Sequence, residues 1–280
     1  MKPDYGDTAR AFDAVAAHYD TVYGREGNMV MTWMRHENLR LLQEIFPAGS
    51  YLLEIGCGTG EEAVALAGAG RRVLATDISP RMAALTRAKA HAAGLGDRVA
   101  ALAARAAQVD LLQPRRLFDG AYASFGALNC ESDLDRLGHG LSRLIVAGGA
   151  FVCSVIARCC PFEVAWFLLH GQPRTAVRRL RPGWQAAPVA GSGTLEVSVA
   201  TRYLTVRTLR QALAPAFTVE RTVSLPLLLP PPYLDAVFRK HRRLFRRLEP
   251  LERCLRQRWP WRLGGDHVVL VLRKQSSPPT

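Results

Sequence analysis

The feature that most limits the possible folds is a glycine-rich turn between an apolar run and a helical segment. The run YLLEIG, residues 51–56, leads into glycines at the alternate positions 56, 58 and 60, and the helical pattern EEAVALAGAG follows. In α/β sheets such a turn connects a buried strand to a helix, at the carboxyl edge where open sheets bind ligands. The sequence therefore predicts a ligand site at this turn.

Strand and helix patterns alternate through the following residues, as far as residue 157. The strand RRVLATD precedes a helix that begins at the capping residue Ser79 with Pro80 in its first turn. Three more strand candidates follow, RVAALAA, LFDGAYASF and GAFVCSVIA, with the helix DLDRLGHGLSRLI before the last of them. This alternation predicts parallel βαβ units with helices on both faces of one sheet.

The residues after the turn limit the chemistry of its ligand. Glu61 occupies the position where a dinucleotide-binding turn has its third glycine, and Glu62 follows it. Two carboxylates in the first helical turn complement the helix dipole and would repel a phosphate. S-adenosylmethionine fits these requirements, because it combines an adenosine with a sulfonium and an amino group and has no phosphate.

An acidic residue after the second strand supports this ligand. Asp77 ends that strand, 17 residues after Gly60, where a carboxylate can accept hydrogen bonds from both ribose hydroxyls. The pattern Glu54-x-Gly56-x-Gly58-x-Gly60, together with Asp77 and the stretch FDGAYASFGALN at residues 118–129, resembles the class I S-adenosylmethionine-dependent methyltransferases, in particular those that act on small molecules.

The resemblance implies an α/β fold: a Rossmann-like, seven-stranded, mostly parallel sheet with helices on both faces and an antiparallel last strand. Segments outside the common core are expected to form helical and strand cap insertions. The expected organisation is a helical cap segment at 1–50, a cofactor-binding core at 51–157, a cap insertion at 158–204, a core helix and sixth strand at 205–224, a basic helical cap insertion at 225–264, and the final strand and tail at 265–280.

The resemblance also implies which residues contact the cofactor. Tyr19, in the stretch AFDAVAAHYD, would pack over the methionine moiety; alternatively this stretch is an ordinary amphipathic helix with Phe12 and Val15 facing inward. The stretch AARAA after the third strand lacks the acidic residue that many members use at the adenine edge. The expected contacts are Tyr19, Glu54, Gly56, Cys57, Gly58, Gly60, Asp77, Ile78, Met82, Arg105, Ala106, Ser124 and Phe125.

The segment after the fourth strand limits which classes of molecule can accept the methyl group. Enzymes that methylate exocyclic amines of nucleic-acid bases have two adjacent prolines there, and Ser124-Phe125-Gly126 has none. The motif positions also provide no cluster of Asp and Asn side chains for magnesium, so we expect no metal. A small, largely hydrophobic acceptor remains, of a specialised or isoprenoid type.

The cap insertions are the expected acceptor site. In PFEVAWFLLHG, Glu163, Trp166 and His170 lie at i, i+3 and i+7, on one helical face. Glu163 is the leading candidate for a catalytic base, because an apolar cap would raise its pKa. The other candidate bases are His18, His170 and His267, and the expected substrate-binding residues are Asn129, Trp166 and Tyr203. The alternative is that Trp166 is a core residue and its neighbours are solvated.

A strong positive charge suggests competing functions. The formal net charge is +13, and residues 239–262 contain ten Lys or Arg against two Glu. An inward stripe with the arginines on the opposite face is typical of a solvated cap helix, a membrane-surface helix or a nucleic-acid patch. The residues that recur at helical spacing and would form this stripe are Leu234, Val237, Phe238, His241, Leu244, Phe245 and Leu248. An acidic or diphosphate-bearing acceptor would use the same kind of residue, namely Arg174, Arg178, Arg179 and Arg181. The alternative functions are RNA methylation and cofactor binding without methyl transfer, as in a cyclase.

The remaining composition concerns location and partners. The six cysteines form no C-x-x-C pair, no secretory signal precedes the first helix, and no apolar run is long enough to span a bilayer. We therefore expect a cytoplasmic enzyme that acts on a small molecule. No protein partner is identifiable, nucleic acid is disfavoured, and peripheral membrane contact is an open alternative.

Overall fold

The computed structural model describes residues 3–24, 27–189, 197–214 and 216–275. The helices are α1 (Tyr5–Val15), α2 (Tyr19–Tyr23), α3 (Met29–Ile45), α4 (Glu61–Gly68), α5 (Pro80–Ala92), α6 (Leu134–Leu144), α7 (Pro161–Leu169), α8 (Pro173–Ala176), α9 (Val206–Leu213), α10 (Asp235–Lys240) and α11 (Arg242–Leu255). The strands are β1 (Tyr51–Ile55), β2 (Arg72–Asp77), β3 (Val99–Ala103), β4 (Phe118–Ala123), β5 (Ile145–Ile156), β6 (Gln185–Val189), β7 (Val197–Thr201), β8 (Phe217–Leu225) and β9 (His267–Lys274).

Seven strands form one sheet in the order β3-β2-β1-β4-β5-β9-β8. The pairs from β3 to β5 are parallel, whereas β9 runs antiparallel to both β5 and β8. Consequently the first residue of β9 lies at the edge where the parallel strands end. The predicted seven-stranded, mostly parallel fold is confirmed.

Alternate residues of each strand face two separate helical layers. In β1, Leu52 belongs to the cluster beneath α3, α4 and α5, whereas Leu53 belongs to the cluster beneath α6 and α9. Both side chains are fully buried, as expected for a strand covered on both faces. The sequence alternation therefore produces the two-sided core and leaves the carboxyl edge of the sheet free for a site.

The cap elements lie at the carboxyl edge and beside the sheet. Strands β6 and β7 form an antiparallel hairpin of their own, and its contacts include α1. Helix α11 packs against α7 through Phe245 and Phe162, whose ring centroids are 6.3 Å apart. The first cap insertion thus combines α7, α8 and the hairpin.

The basic segment forms two helices, α10 and α11, in place of the single periodic helix expected from the sequence. The inward stripe is confirmed at Phe238 and Phe245, which are buried. It is wrong at His241, which is exposed between the two helices, and at Leu244, which is 54% exposed. The break at His241 changes the helical phase, so the later apolar residues cannot all continue the same face.

Within the described ranges, no helix has the length and apolar character needed to cross a membrane.

Candidate active site

The turn after β1 contains three glycines whose backbone conformation or close surroundings favour glycine. Gly56, Gly58 and Gly60 all have positive φ, at 71°, 53° and 83°. A Cβ at Gly56 would lie 2.3 Å from the Ala127 Cβ, and one at Gly60 would lie 2.7 Å from the Thr86 side chain. At Gly58 the nearest atom would be the Tyr19 ring at 3.9 Å. Gly56 and Gly60 therefore permit close packing, whereas Gly58 leaves open space in front of the turn.

Asp77 is held beside this turn by backbone donors. The Gly58 amide donates to its Oδ2 at 2.8 Å, and the Ser79 amide donates to its Oδ1 at 2.9 Å. Burial raises the pKa of Asp77 to about 6, although both amide bonds act in the opposite direction. A buried carboxylate with this orientation can accept further hydrogen bonds from vicinal hydroxyls, at a net gain of about 1.5 to 3 kcal/mol.

One cavity of about 440 Å³ extends from the glycine turn to the cap. This volume lies in the range of about 300 to 1,000 Å³ that is typical of small-molecule sites. Its cofactor-side walls come from the ends of β1, β2 and β4 and from α1 and α2, and its cap-side walls come from the hairpin and from residues 178, 179, 203, 232, 233, 266 and 267. The carboxyl edge of the sheet and the cap thus share a single chamber.

The chamber wall after β3 contains a charged and aromatic cluster. The Arg105 guanidinium lies 4.1 Å from the centroid of the Tyr5 ring. The Tyr5 hydroxyl donates to Glu131 at 2.5 Å, and the Ala107 amide donates to the same carboxylate at 3.0 Å. Glu131 therefore places a carboxylate in the cavity wall, although the stretch after β3 contains none.

At the cap end, two arginines and two carboxylates compensate one another. The Arg179 guanidinium donates to Asp266 Oδ1 at 2.6 Å and lies 2.6 Å from Glu163 Oε2. The Nε of Arg178 donates to Glu163 Oε1 at 2.9 Å. Cys160, Glu163 and Asp266 also place possible metal-ligating atoms within 4.8 Å of one another, but Arg179 already supplies a cation to both carboxylates.

His267 lies between this network and the sheet edge. It is the first residue of β9, is 6% exposed and lines the cavity. Its Nδ1 is 2.9 Å from Asp266 Oδ2, and its ring meets Phe125 edge-on with centroids 5.9 Å apart. Phe125 itself has a φ of 51°, unusual for a residue with a side chain. The backbone after β4 is thus strained at its contact with His267.

The matching protein family covers the part of the chain that carries the glycine turn. Residues 52–149 match the family described as "Methyltransferase domain". The chain therefore contains a methyltransferase domain at residues 52–149. The match spans β1 to the middle of β5 and contains the turn, Asp77 and the segment after β4.

Proteins similar to this chain include a C-methyltransferase and a cyclase. The ubiquinone/menaquinone biosynthesis C-methyltransferase UbiE of Rubrivivax gelatinosus is 31% identical over 147 residues, which are 51% of this chain and 53% of that protein. The chain spans about half the length of the curated relatives that it matches. The [4+2]-cyclase SpnF is similar in structure, with a TM-score of 0.64, 18% identity and coverage of 99% of this chain and 98% of SpnF.

A second solved structure, the CcbJ methyltransferase from Streptomyces caelestis, has a TM-score of 0.62 at 19% identity, with coverage of 95% of this chain and 98% of CcbJ. At these identities the two structures demonstrate a shared fold. The shared fold extends beyond the matched domain, because both alignments include nearly the whole chain.

The cavity fits S-adenosylmethionine, the cofactor of this domain. The open space at Gly58 admits a ligand close to the backbone, and Asp77 can accept from its ribose hydroxyls. Ile78 and Met82 provide apolar walls, and Tyr19 lies beside the turn. The following predicted cofactor residues line the cavity: Tyr19, Gly56, Cys57, Gly58, Asp77, Ile78, Met82, Arg105, Ala106, Ser124 and Phe125.

Two predicted cofactor residues support the site from behind. Glu54 is buried next to Glu62, and burial raises the pKa of the Glu54 carboxyl well above its usual range. Gly60 caps α4 and packs against Thr86. Neither is among the described residues of the cavity wall, because their positions place them beneath the turn.

Three of the four candidate bases, Glu163, His18 and His170, are not among the described residues that line the chamber. Glu163 is buried, but its surroundings are two guanidinium groups and not the apolar cap that its selection assumed. His170 and His18 are exposed, and the Nδ1 of His170 lies 2.8 Å from the Trp166 carbonyl. The chamber wall that the described residues form thus gives no support to these three assignments, which stay predictions.

Of the three predicted substrate residues, one lines the chamber and two are not among its described lining residues. Tyr203 lines the cavity, with the Arg179 guanidinium 5.4 Å from its ring centroid. Asn129 is fully committed to backbone: its amide nitrogen donates to the carbonyls of Ile156 and Arg202, and its oxygen accepts from the Ile156 amide. Trp166 packs against Phe162 and His170, outside the described wall.

Sequence reasoning underestimated His267 and missed Asp266. The sequence ranks His267 behind Glu163, because a lone histidine at the start of a strand is more often structural. An antiparallel last strand, however, begins at the same edge where the parallel strands end. The topology implied by the family resemblance was therefore a signal that could have placed this Asp-His pair at the site.

Proposed function

We propose that this chain transfers the methyl group of S-adenosylmethionine to a small, largely hydrophobic acceptor of a specialised or isoprenoid type. The observation that carries the proposal is the single chamber that joins the glycine turn to the cap. In the cap, the arginines that line this chamber are paired with carboxylates. The hairpin contributes Ala187, Pro188, Val189 and Val199 to its wall, and Arg178 and Arg179 are paired with Glu163 and Asp266.

The paired charges argue against a diphosphate-bearing acceptor. A phosphate group would have to compete with Glu163 and Asp266 for Arg178 and Arg179, and both carboxylates are buried beside these arginines. Arg174 and Arg181 are exposed and do not appear in the described cavity wall. The relative UbiE is a C-methyltransferase of ubiquinone and menaquinone biosynthesis, which agrees with a neutral isoprenoid-type acceptor.

The chain's residues would contribute mainly by alignment. When bound, S-adenosylmethionine supplies an electrophilic methyl group on an excellent leaving group. Asp77 and the turn at Gly58 would fix its position, while the hairpin and Tyr203 hold the acceptor and exclude water. Alignment of two reactants at near-attack distance contributes up to about 7 to 11 kcal/mol to lowering a barrier.

The test is a transfer assay with purified protein and methyl-labelled cofactor. Lipophilic extracts and a panel of quinols, phenols and prenylated compounds would be searched by mass spectrometry for products that gain one labelled methyl. We expect label in an apolar product, and none with Gly58→Val. Tight cofactor binding without any transfer would instead favour the cyclase-like alternative, since the [4+2]-cyclase SpnF has a similar fold to this chain.

RNA methylation is the second alternative, motivated by the exposed Arg242, Arg243, Arg246 and Arg247 of α11. Binding through these residues would weaken steeply with salt, because it depends on counterion release from phosphates. None of α10 or α11 lies in the described cavity wall. Labelled RNA in the same assay, at low and physiological salt, distinguishes this alternative from small-molecule transfer.

A further inference from the structure

We propose that His267, oriented by Asp266, is the general base of this site, and that the acceptor carries a weakly acidic hydroxyl, as in a phenol or an enol. This inference rests on the proposed methyl transfer and specifies its acceptor. It begins from position: His267 lines the chamber at the cap end and touches Phe125, which follows β4 at the cofactor end. The imidazole therefore lies between the two halves of the chamber.

The Asp266 contact determines which ring nitrogen is available. Burial alone would raise the pKa of Asp266, but Arg179 and His267 outweigh it, and that pKa lies well below its usual range. An ionised carboxylate can only accept, so the Nδ1 of His267 carries the proton of their 2.9 Å bond. Among the described residues no hydrogen bond occupies Nε2, which is left as the available proton acceptor of a residue that lines the cavity.

Arg179 keeps this pair rigid. It donates to Asp266 Oδ1 at 2.6 Å and to the Asp266 backbone carbonyl at 3.1 Å. Its other contact, Glu163, is held in turn by Arg178. The carboxylate is therefore fixed on both its side chain and its backbone, which is how a positioning residue orients a catalytic imidazole.

The other ionisable groups near His267 are poor bases at neutral pH. Burial raises the pKa of the Cys160 thiol to about 12, and burial together with a hydrogen bond to Glu163 raises the pKa of Tyr233. Asp266 contacts the imidazole directly. The other charged and titratable groups of this end of the chamber and of the network behind it are Arg178, Arg179, Glu163, Cys160, Tyr203, Tyr233 and Arg35. Glu163 and Asp266 already balance the positive charges of Arg178 and Arg179. The imidazole of His267 is therefore the group at this end that can accept a proton.

The proton balance defines the acceptor class. Nε2 takes the hydroxyl proton as the acceptor's oxygen, or a carbon conjugated to it, forms a bond to the methyl carbon. The carbon–sulfur bond breaks with its electron pair on sulfur, and the proton then passes from the imidazolium to solvent. A phenol or enol suits a weak base such as imidazole, because its hydroxyl proton is removed far more easily than that of an aliphatic alcohol.

The first experiment compares wild type with His267→Ala, His267→Gln and Asp266→Asn in single-turnover transfer to the best phenolic acceptor. We expect the His267 variants to lose about 10²- to 10⁴-fold in rate, with cofactor affinity within threefold of wild type. The wild-type rate should fall as the pH is lowered, because protonation of a general base removes its acceptor site, and this dependence should disappear in the His267 variants.

Asp266→Asn should lower the rate at all pH values and move the acid limb to a different pH, an effect that a merely structural role would not produce. His267→Gln serves as the folded control, because its amide can still meet Asp266. A His267→Ala rate within threefold of wild type across the whole pH range would overturn the proposal.

A second measurement does not need the natural acceptor. 4-Nitrophenol, bound to protein loaded with S-adenosylhomocysteine, reports its own ionisation by absorbance. We expect bound probe to ionise at lower pH with wild type than with His267→Ala. An identical ionisation curve in both would reject the base assignment, whereas a clear difference without any transfer would retain the dyad and reject the proposed methyl transfer.

Discussion

The two ends of the chamber are stabilised in different ways. At the cofactor end, the turn that faces the ligand is held mainly by backbone groups. Gly58 has positive φ, and the amides of Gly58 and Ser79 donate hydrogen bonds that fix Asp77. At the cap end, the surface depends on side chains far apart in sequence, such as Arg179 and Asp266. The first end is encoded within a short stretch of sequence, whereas the second exists only after long-range packing.

The largest expected effect concerns the cap end. Arg179→Leu leaves Glu163 and Asp266 buried without their shared cation, so we expect the free energy of unfolding to fall by about 3 to 5 kcal/mol. Chemical denaturation measures this change. Arg181→Leu is the matched control, since Arg181 is exposed, and its effect should stay within about 0.5 kcal/mol. Equal effects of the two substitutions would show that the buried network does not stabilise the fold.

The next effect concerns the cofactor end. Gly58→Val should reduce cofactor affinity by more than about 100-fold, because the branched side chain occupies ligand space and strains a positive φ. Gly49 also has positive φ, but a Cβ added there would meet nothing within 4 Å. Gly49→Val therefore shows the effect of backbone strain without any blocking of the ligand space. Calorimetry with S-adenosylhomocysteine provides the measurement. If both variants bind alike, the open space at Gly58 does not hold the cofactor.

A smaller effect should depend on pH. Asp77→Ala should weaken cofactor binding by about 1.5 to 3 kcal/mol at about pH 8, where the carboxyl is ionised. Because the pKa of Asp77 is raised to about 6, wild-type affinity should be constant above that pH and decline below it. The raised pKa also means that ionised Asp77 opposes folding of the free protein, so this contribution destabilises above about pH 6 and is relieved as the pH falls. If the affinities of wild type and Asp77→Ala do not approach each other between about pH 6 and pH 5, the assignment is contradicted.

The smallest expected effect concerns α11. Reversing Arg242, Arg243, Arg246 and Arg247 to Glu should leave transfer to a neutral acceptor within a few-fold, since exposed charges contribute little. Sedimentation with anionic vesicles tests the alternative of a membrane surface, for which each lost cation would cost about 1 kcal/mol. Wild-type binding to vesicles at physiological salt, absent in the variant, would replace the cap interpretation of this helix with a membrane one.

The cofactor end could be predicted from sequence because each requirement is local. The turn, Asp77 and the strand spacing are neighbours in the chain, and the topology follows from the alternation of strands and helices. The cap could not be predicted in the same way. Helical spacing correctly put Glu163 and Trp166 on related faces of α7, but spacing does not specify what a face contacts. Asn129 has polar groups suited to a substrate, yet backbone groups at Ile156 and Arg202 take all of them.

The position of β9 has a consequence for how the protein is made. This strand lies inside the sheet, between β5 and β8, although it is translated after both. Chains are synthesised from the amino terminus at about 5 to 20 residues per second. The turn at Gly58 and Asp77 can therefore emerge from the ribosome well before His267. A nascent chain would have its cofactor half in place while β5 still lacks a neighbour, and the acceptor half would form only when the last strand inserts.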